Sequence, residues 1–335
     1  MRGSDLTPYN RERMADTVAH YNLLERIGEG GLGDVYRARD TRVGRTVALR
    51  LTAMFADPAL RDRFLADARA ASALSHPNIA TLFDVGVHAD RVYLAYEFVG
   101  GLTLRQQMAG RPMNPRHALE IAVQLADALA EAHAQGVLHG DLRPDTIAIT
   151  GKGSSKVLDF GMSAWTRGGA IRARAAQSPS SLRPDEVSVI SYMSPEQAVG
   201  GSVDARTDVF SLGVIVYEMA TGRHPFAAAT AAATLDAVTT RAAPPASAGT
   251  PELPKDLDTT LDRALAKSLD ARQQSAVAFA AELRSLLAVL DVRAGESARS
   301  ELMPLDDDRG GGAGVWVGIA IVVLIVLLGV WFLVT

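Results

Sequence analysis

His139-Gly140-Asp141-Leu142-Arg143-Pro144-Asp145-Thr146 is followed, eighteen residues after Asp141, by Asp159-Phe160-Gly161. Two carboxylates so placed suit phosphoryl transfer, one to take a proton from a hydroxyl and one to hold a divalent cation. Far upstream lies a glycine loop, Gly28-Glu29-Gly30-Gly31-Leu32-Gly33, and between them sits Val47-Ala48-Leu49-Arg50. The loop alone discriminates little, because dinucleotide-binding folds carry the same spacing and run from it into a helix. Here it runs into Asp34-Val35-Tyr36-Arg37-Ala38, which reads as a strand. It is therefore expected to be a hairpin tip whose glycines let backbone N–H groups approach phosphates closely.

With 335 residues the chain can bury a sizeable core. Its formal net charge of −4 gives no reason to expect a nucleic-acid partner, and the absence of cysteine excludes disulfides and thiolate metal sites. Residues 1–20 are a polar lead-in of mixed charge with no visible cleavable signal. The other end differs. Residues 315–334 carry no charge and are rich in Val, Ile and Leu, with Trp316 and Trp331 near the two ends. About 20 such residues span a hydrocarbon core of about 30 Å, and interfacial aromatics suit its edges. One C-terminal transmembrane helix is expected, holding the N-terminal bulk at the cytoplasmic face of the cell membrane. Gly314 and Gly318 form one GxxxG, a weak pointer to dimerisation.

Between these ends the pattern changes once. Residues 21–99 alternate as strands around turns, interrupted by one helix near 58–74. From residue 100 to 290 the chain turns helical. Asn114-Pro115 supplies an N-cap and first-turn pair ahead of the stripe Ala118, Ile121, Ala122, Leu125, Ala126 and Leu129. Further helices are expected near 208–221, 257–268 and 271–290. Residues 291–314 are polar, acidic and then Gly-rich, a flexible tether of about 25–30 Å span. The fold class is α+β: a small β-rich lobe, a larger helical lobe, and a cleft between them as the natural ligand site.

Taken together these segments resemble the protein kinase family, most closely the membrane-tethered Ser/Thr kinases of bacteria, over residues 21–290. Val47-Ala48-Leu49-Arg50 is similar to V-A-I-K, the segment from His139 to Thr146 to H-R-D-L-K-P-E-N, Asp159-Phe160-Gly161 to D-F-G and Ser194-Pro195-Glu196 to A-P-E. The resemblance implies roles position by position. Gly28, Gly30 and Gly33 would cover the phosphates of ATP. Val35 and Ala48 would roof the adenine, Ala148 and Leu158 would floor and back it, and the backbone of Glu97 and Val99 would bond its edge. Asp141 would be the base with Arg143 beside it, and Asp159 would bind Mg²⁺ or Mn²⁺. Arg272 would pair with Glu196. The implied partner is a protein substrate or a signalling protein.

Four positions depart from that pattern. Arg50 stands for the phosphate-binding lysine, and Asp67 stands for the helical glutamate that pairs with it. Thr146 stands for the asparagine that holds the second metal ion, and Gly140 for the arginine of H-R-D. Arg50 with Asp67 would keep both charges, although a guanidinium is a planar fork and not a compact point charge. Thr146 keeps an oxygen on a shorter side chain. Gly140 removes a cation that in many kinases holds an activation-loop phosphate. The activation segment, 159–196, contains Arg167, Arg172, Arg174, Ser178, Ser180 and Ser181, and reads equally as a surface loop or a regulatory element. It lacks the threonine usual before Tyr192-Met193. Two readings stay open: an ATP-dependent Ser/Thr protein kinase with weakened catalysis, and a membrane-anchored pseudokinase that binds nucleotide or acts as a scaffold.

Overall fold

The computed structural model describes residues 17–30, 33–52, 55, 57–178, 181–183, 186–250 and 252–302. Two compact units separate, Met1–Leu290 and Asp291–Thr335. In the first, β1 (Thr17–Val18), β2 (Tyr21–Gly30), β3 (Gly33–Asp40) and β4 (Thr46–Leu51) lead to α1 (Pro58–Ser72), β5 (Leu82–His88) and β6 (Arg91–Glu97). The strands form one antiparallel sheet in the order β1-β2-β3-β4-β6-β5. Gly30 pairs with Gly33 and Gly28 with Val35, so these three glycines sit at the paired end of the β2–β3 hairpin. In β4 the strand period of two separates functions: Val47, Leu49 and Leu51 are buried in one core cluster with Tyr21 and Tyr93, while Ala48 and Arg50 face the other side. Helix α1 starts where Asp57 accepts the Ala59 N–H ahead of Pro58, and it buries Phe64, Leu65, Ala68 and Ala71.

The helical lobe begins with β7 (Gly101–Thr103), α2 (Leu104–Met108) and α3 (Pro115–Ala134). As its sequence requires, α3 is capped by Asn114 and buries the whole stripe from Ala118 to Leu129. A second antiparallel sheet is completed by β8 (Ile147–Thr150) and β9 (Ser155–Val157). Then come α4 (Arg167–Gln177), α5 (Val187–Ile190), α6 (Pro195–Ala198), α7 (Ala205–Thr221), α8 (Ala231–Thr240), α9 (Asp256–Ala264) and α10 (Ala276–Leu302). Helix α7 is apolar on nearly every face and is the axis of the largest core cluster, with α3 and α9 packed against it.

Three boundaries differ from the sequence expectation. Helix α9 stops at Ala264 instead of continuing to 268, because the chain turns to carry Arg272 inward. Helix α10 starts at Ala276, where Ser275 Oγ accepts the Ala278 N–H at 3.2 Å, and not at 271. It runs to Leu302, so 291–302 is helical where a flexible tether was expected. Among the described residues no helix is long and apolar enough to cross a membrane; the expected span, 315–334, lies outside the described residues.

Candidate active site

A cleft of about 160 Å³ opens between the sheet and the helical lobe. Val35 and Ala48 line it from above, Ala148 and Leu158 from below, and Glu97 and Val99 along the strand that joins the lobes. Arg50 and Asp159 close its inner end. The antiparallel register explains the grouping: Arg50 lies opposite Val35 on one side and Leu94 on the other, and Ala48 lies opposite Tyr96. Tyr96 and Ile27 also line the cleft, and neither stood out in the sequence. The residue before Glu97 has the right strand parity to face inward, a signal that was available. The Glu97 carboxylate itself turns away, to Lys156 Nζ at 2.8 Å.

The loop bearing Asp141 is fixed from behind by a buried carboxylate. Asp208 accepts the N–H of His139 at 2.8 Å and of Gly140 at 2.7 Å, and its Oδ2 lies 2.8 Å from His133 Nε2. Burial alone would push the Asp208 carboxyl up, but those donors and the nearby histidines hold it below the usual range. His139 Nδ1 accepts the Asp141 N–H, which leaves its Nε2–H to donate to the Leu158 carbonyl at 2.9 Å. Burial keeps that imidazole neutral by lowering its pKa. Gly140 has φ +68, and a Cβ there would meet Ser163 Oγ at 2.7 Å. The replacement of arginine therefore matches a left-handed backbone that glycine adopts without strain.

Every candidate catalytic carboxylate has an intramolecular partner. Arg50 Nη1 bonds Asp159 Oδ1 at 2.7 Å, and Asp159 itself has φ +62. Burial pulls the Arg50 guanidinium down, yet Asp159 and Tyr96 together outweigh it and the net shift is upward. Asp67, expected to pair with Arg50, instead accepts the indole N–H of Trp165 at 2.7 Å. That indole also packs edge-on against Phe55 and Phe64. The expected Arg50–Asp67 pair is therefore corrected: an aromatic side chain from the activation segment holds the acid on α1, and the guanidinium bonds Asp159 instead. Asp141 is 8% exposed and forms an ion pair with Arg172 of α4. Arg172 also donates to the Ser163 carbonyl at 2.9 Å. Arg143 Nε lies 3.5 Å from the same carboxylate. A Cβ on Gly168 would stand 2.5 Å from Asp141 Oδ2, so only glycine lets the first turn of α4 close so tightly on this loop. Within the activation segment, α4 is thus a folded element, with Thr166 as its N-cap and Ile171 and Ala175 buried.

Glu196 and Arg272 form the bidentate pair implied by the resemblance, at 2.9 and 3.1 Å. A wider hollow of about 270 Å³ lies beside the end of α7, where Arg105 bonds Glu218 at 2.9 Å and the Tyr192 hydroxyl at 2.6 Å. His224 lines it with Nδ1 accepting the Phe226 N–H. Burial lowers its pKa from 6.5 to about 4. Between those values the unfolded chain binds the proton that the folded chain refuses, so stability is complete above 6.5 and declines as pH falls toward 4. At about 1.4 kcal/mol per unit the loss approaches about 3 kcal/mol. Urea unfolding at pH 7 and pH 4.5 should show this loss in the wild-type chain and much less of it in His224→Asn.

A sequence model described as the protein kinase domain matches residues 21–282. The chain belongs to the protein kinase family. Serine/threonine-protein kinase Pkn1 of Myxococcus xanthus is 36% identical over 274 residues, covering 80% of this chain and 38% of that protein. Serine/threonine-protein kinase PknB of Mycobacterium tuberculosis is 36% identical over 273 residues, covering 78% of this chain and 42% of its own length. The chain thus matches about two fifths of these curated relatives. The crystal structure of the M. tuberculosis PknI kinase domain superposes with a TM-score of 0.62 at 26% identity, covering 81% of this chain and 97% of that one. The two-lobed kinase fold follows from these matches and from the architecture.

Protein kinases as a family use ATP with a divalent metal ion. The two residues expected to hold it here, Asp159 and Thr146, do not fit that task in this structure. The Asp159 carboxylate is engaged by Arg50. The Thr146 hydroxyl is buried within its own loop, donating to the Arg143 carbonyl at 2.9 Å and accepting the Arg143 N–H at 3.2 Å.

Proposed function

We propose that this chain binds ATP and transfers its γ-phosphate, slowly, to serine or threonine hydroxyls of a protein. The observation that carries this reading is the cleft lined by Val35, Ala48, Val99, Ala148 and Leu158 with Arg50 at its end, in a chain that also holds the Asp141 carboxylate on a loop anchored by Asp208. Val35, Ala48, Ala148 and Leu158 sandwich the base, and the backbone of Glu97 and Val99 bonds its edge. The glycine hairpin of Gly28, Gly30 and Gly33 covers the phosphates, and Arg50 receives them. The substrate hydroxyl attacks the γ-phosphorus and gives its proton to Asp141. The bond from that phosphorus to the β,γ-bridging oxygen breaks, and ADP leaves. Arg143, beside Asp141, offsets negative charge on the transferred group. Because Arg172 sits on Asp141, the hydroxyl can reach the base only when α4 lifts, and the turnover is expected to be low.

A second reading has its own support. With Thr146 spent within its loop and Arg50 on Asp159, a nucleotide-binding module without transfer fits the cleft equally. Incubating the full chain with ATP and mapping new phosphoserine and phosphothreonine by mass spectrometry separates the two. The first reading expects modification that falls by roughly 10²–10⁴-fold in Asp141→Asn. Equal modification by both proteins would reject Asp141 as the base, and none in either would leave the module.

Residues 315–334 are proposed to anchor the chain in the cell membrane with the kinase domain on the cytoplasmic side. Their length and lack of charge support this. Alkaline carbonate should leave the full chain in the membrane pellet and release a chain lacking 315–334.

A further inference from the structure

At the inner end of the cleft the charges of Arg50 and Asp159 cancel as a pair. That pair is well shielded, with 11% of the Arg50 side chain and 19% of the Asp159 side chain exposed. Two buried polar atoms on the same wall have no partner among the described residues: Arg50 Nε and the Tyr96 hydroxyl. Tyr96 lies under the Arg50 guanidinium, 5.8 Å from ring centre to Cζ, which limits where that fork can move. The alternative seat for Arg50, the Asp67 carboxylate, is held by Trp165.

A hydrated divalent ion is poorly served here. Mg²⁺ asks for near-octahedral oxygen donors and gives up water reluctantly. Beside Asp159 it would stand next to a permanent guanidinium charge, and the Thr146 oxygen is turned into its own loop, where it accepts the Arg143 N–H. A guanidinium, by contrast, is weakly hydrated and presents a planar fork that matches phosphate oxygens. Arg50 already neutralises Asp159 through Nη1 and has a buried N–H left over.

We propose that Arg50 takes over the charge-neutralising part of the divalent cation, so that this cleft binds the triphosphate of ATP in metal-free form through the guanidinium. The inference rests on the nucleotide-binding reading above and concerns how the same site recognises its ligand. The carboxylate of Asp159 then serves to hold the fork, and it opposes the nucleotide's charge instead of attracting it through a metal.

The test is calorimetric titration of the full chain with ATP, in excess EDTA and in excess Mg²⁺, with Mn²⁺ as a third arm. The dissociation constants in EDTA and Mg²⁺ should agree within about threefold, less than 1 kcal/mol. Asp159→Asn removes a negative charge and frees the fork, so it should tighten binding in EDTA about three- to tenfold, and Arg50→Met should abolish it. Binding at least tenfold weaker in EDTA than in Mg²⁺, or loss of affinity in Asp159→Asn, overturns the inference. No binding in any arm rejects the nucleotide-binding reading and this inference with it. EDTA-insensitive binding without any phosphate transfer upholds the inference and removes only the transfer reading. The wild-type comparison needs no variant to fold.

Discussion

Arg172→Ala should transfer phosphate faster than the wild-type chain, by roughly 10- to 100-fold. The ion pair between Arg172 and Asp141 is nearly enclosed, and the same guanidinium bonds the Ser163 carbonyl. Burial lowers the Arg172 pKa, with Asp141 opposing the shift, so the pair is the main compensation for a desolvated cation. Hydrogen bonds to charged groups contribute about 1.5–3 kcal/mol. Removing them moves the closed-to-open ratio of α4 by about one to two decades. The gain should be accompanied by faster amide exchange across 163–177. An unchanged rate with an unchanged exchange pattern would mean that α4 does not govern access to Asp141. Trp165→Leu should act in the same direction by freeing Asp67, since the indole N–H is the partner that holds that carboxylate.

Arg272→Ala should lower the unfolding free energy by about 3–5 kcal/mol. The Arg272 side chain is 0% exposed. It bonds both oxygens of Glu196 and the carbonyls of Arg206 and Ala266, and stacks over Phe210 at 5.0 Å. Burial would raise the Glu196 carboxyl, but the bonds from Arg272 and Thr207 hold it low. Without Arg272 a carboxylate only 10% exposed keeps the Thr207 hydroxyl at 2.6 Å and its own backbone N–H. Lysine would restore a charge but not the planar fork, so Arg272→Lys should recover only part of the loss. Urea unfolding reads both values. A cost below about 1 kcal/mol for Arg272→Ala would show that the pair holds no more than an exposed one does.

The elements written into local pattern are legible in the sequence. The stripe on α3, its Asn114-Pro115 start, the alternation of β4 and the hairpin at the glycine loop all follow from residue periodicity. The Arg272–Glu196 pair was legible because a resemblance fixed both ends. The pairings inside the cleft were not. Arg50 meets Asp159 across 109 residues and Asp67 meets Trp165 across 98. Which carboxylate a cation chooses depends on where each backbone segment comes to rest, and that information is absent from spacing along the chain. Helix α4 was hidden for a local reason: Gly168-Gly169 in its first turn lowers helix propensity. Yet Gly168 is what lets that turn approach Asp141. Two signals pointed to it, the N-cap residue Thr166 and the i, i+4 pair Ile171 and Ala175. Trp165, so soon after Asp159-Phe160-Gly161, was a further hint, since a large aromatic finds a partner when it is buried.

The departures at positions 50, 67, 140 and 146 now have separate physical meanings. Gly140 answers a left-handed backbone, and Thr146 closes its own loop. Arg50 and Asp67 each serve a partner other than the expected one. Together they describe a kinase fold whose carboxylates are held by its own side chains.

Phosphate transfer by the double variant Arg172→Ala/Asp141→Asn, measured beside the wild type and each single variant under identical ATP, tests the central claim most directly. Arg172→Ala should gain activity, and adding Asp141→Asn should remove the gain entirely. A gain that survives in the double variant would contradict it, because Asp141 would then be neither the base nor the group that Arg172 covers.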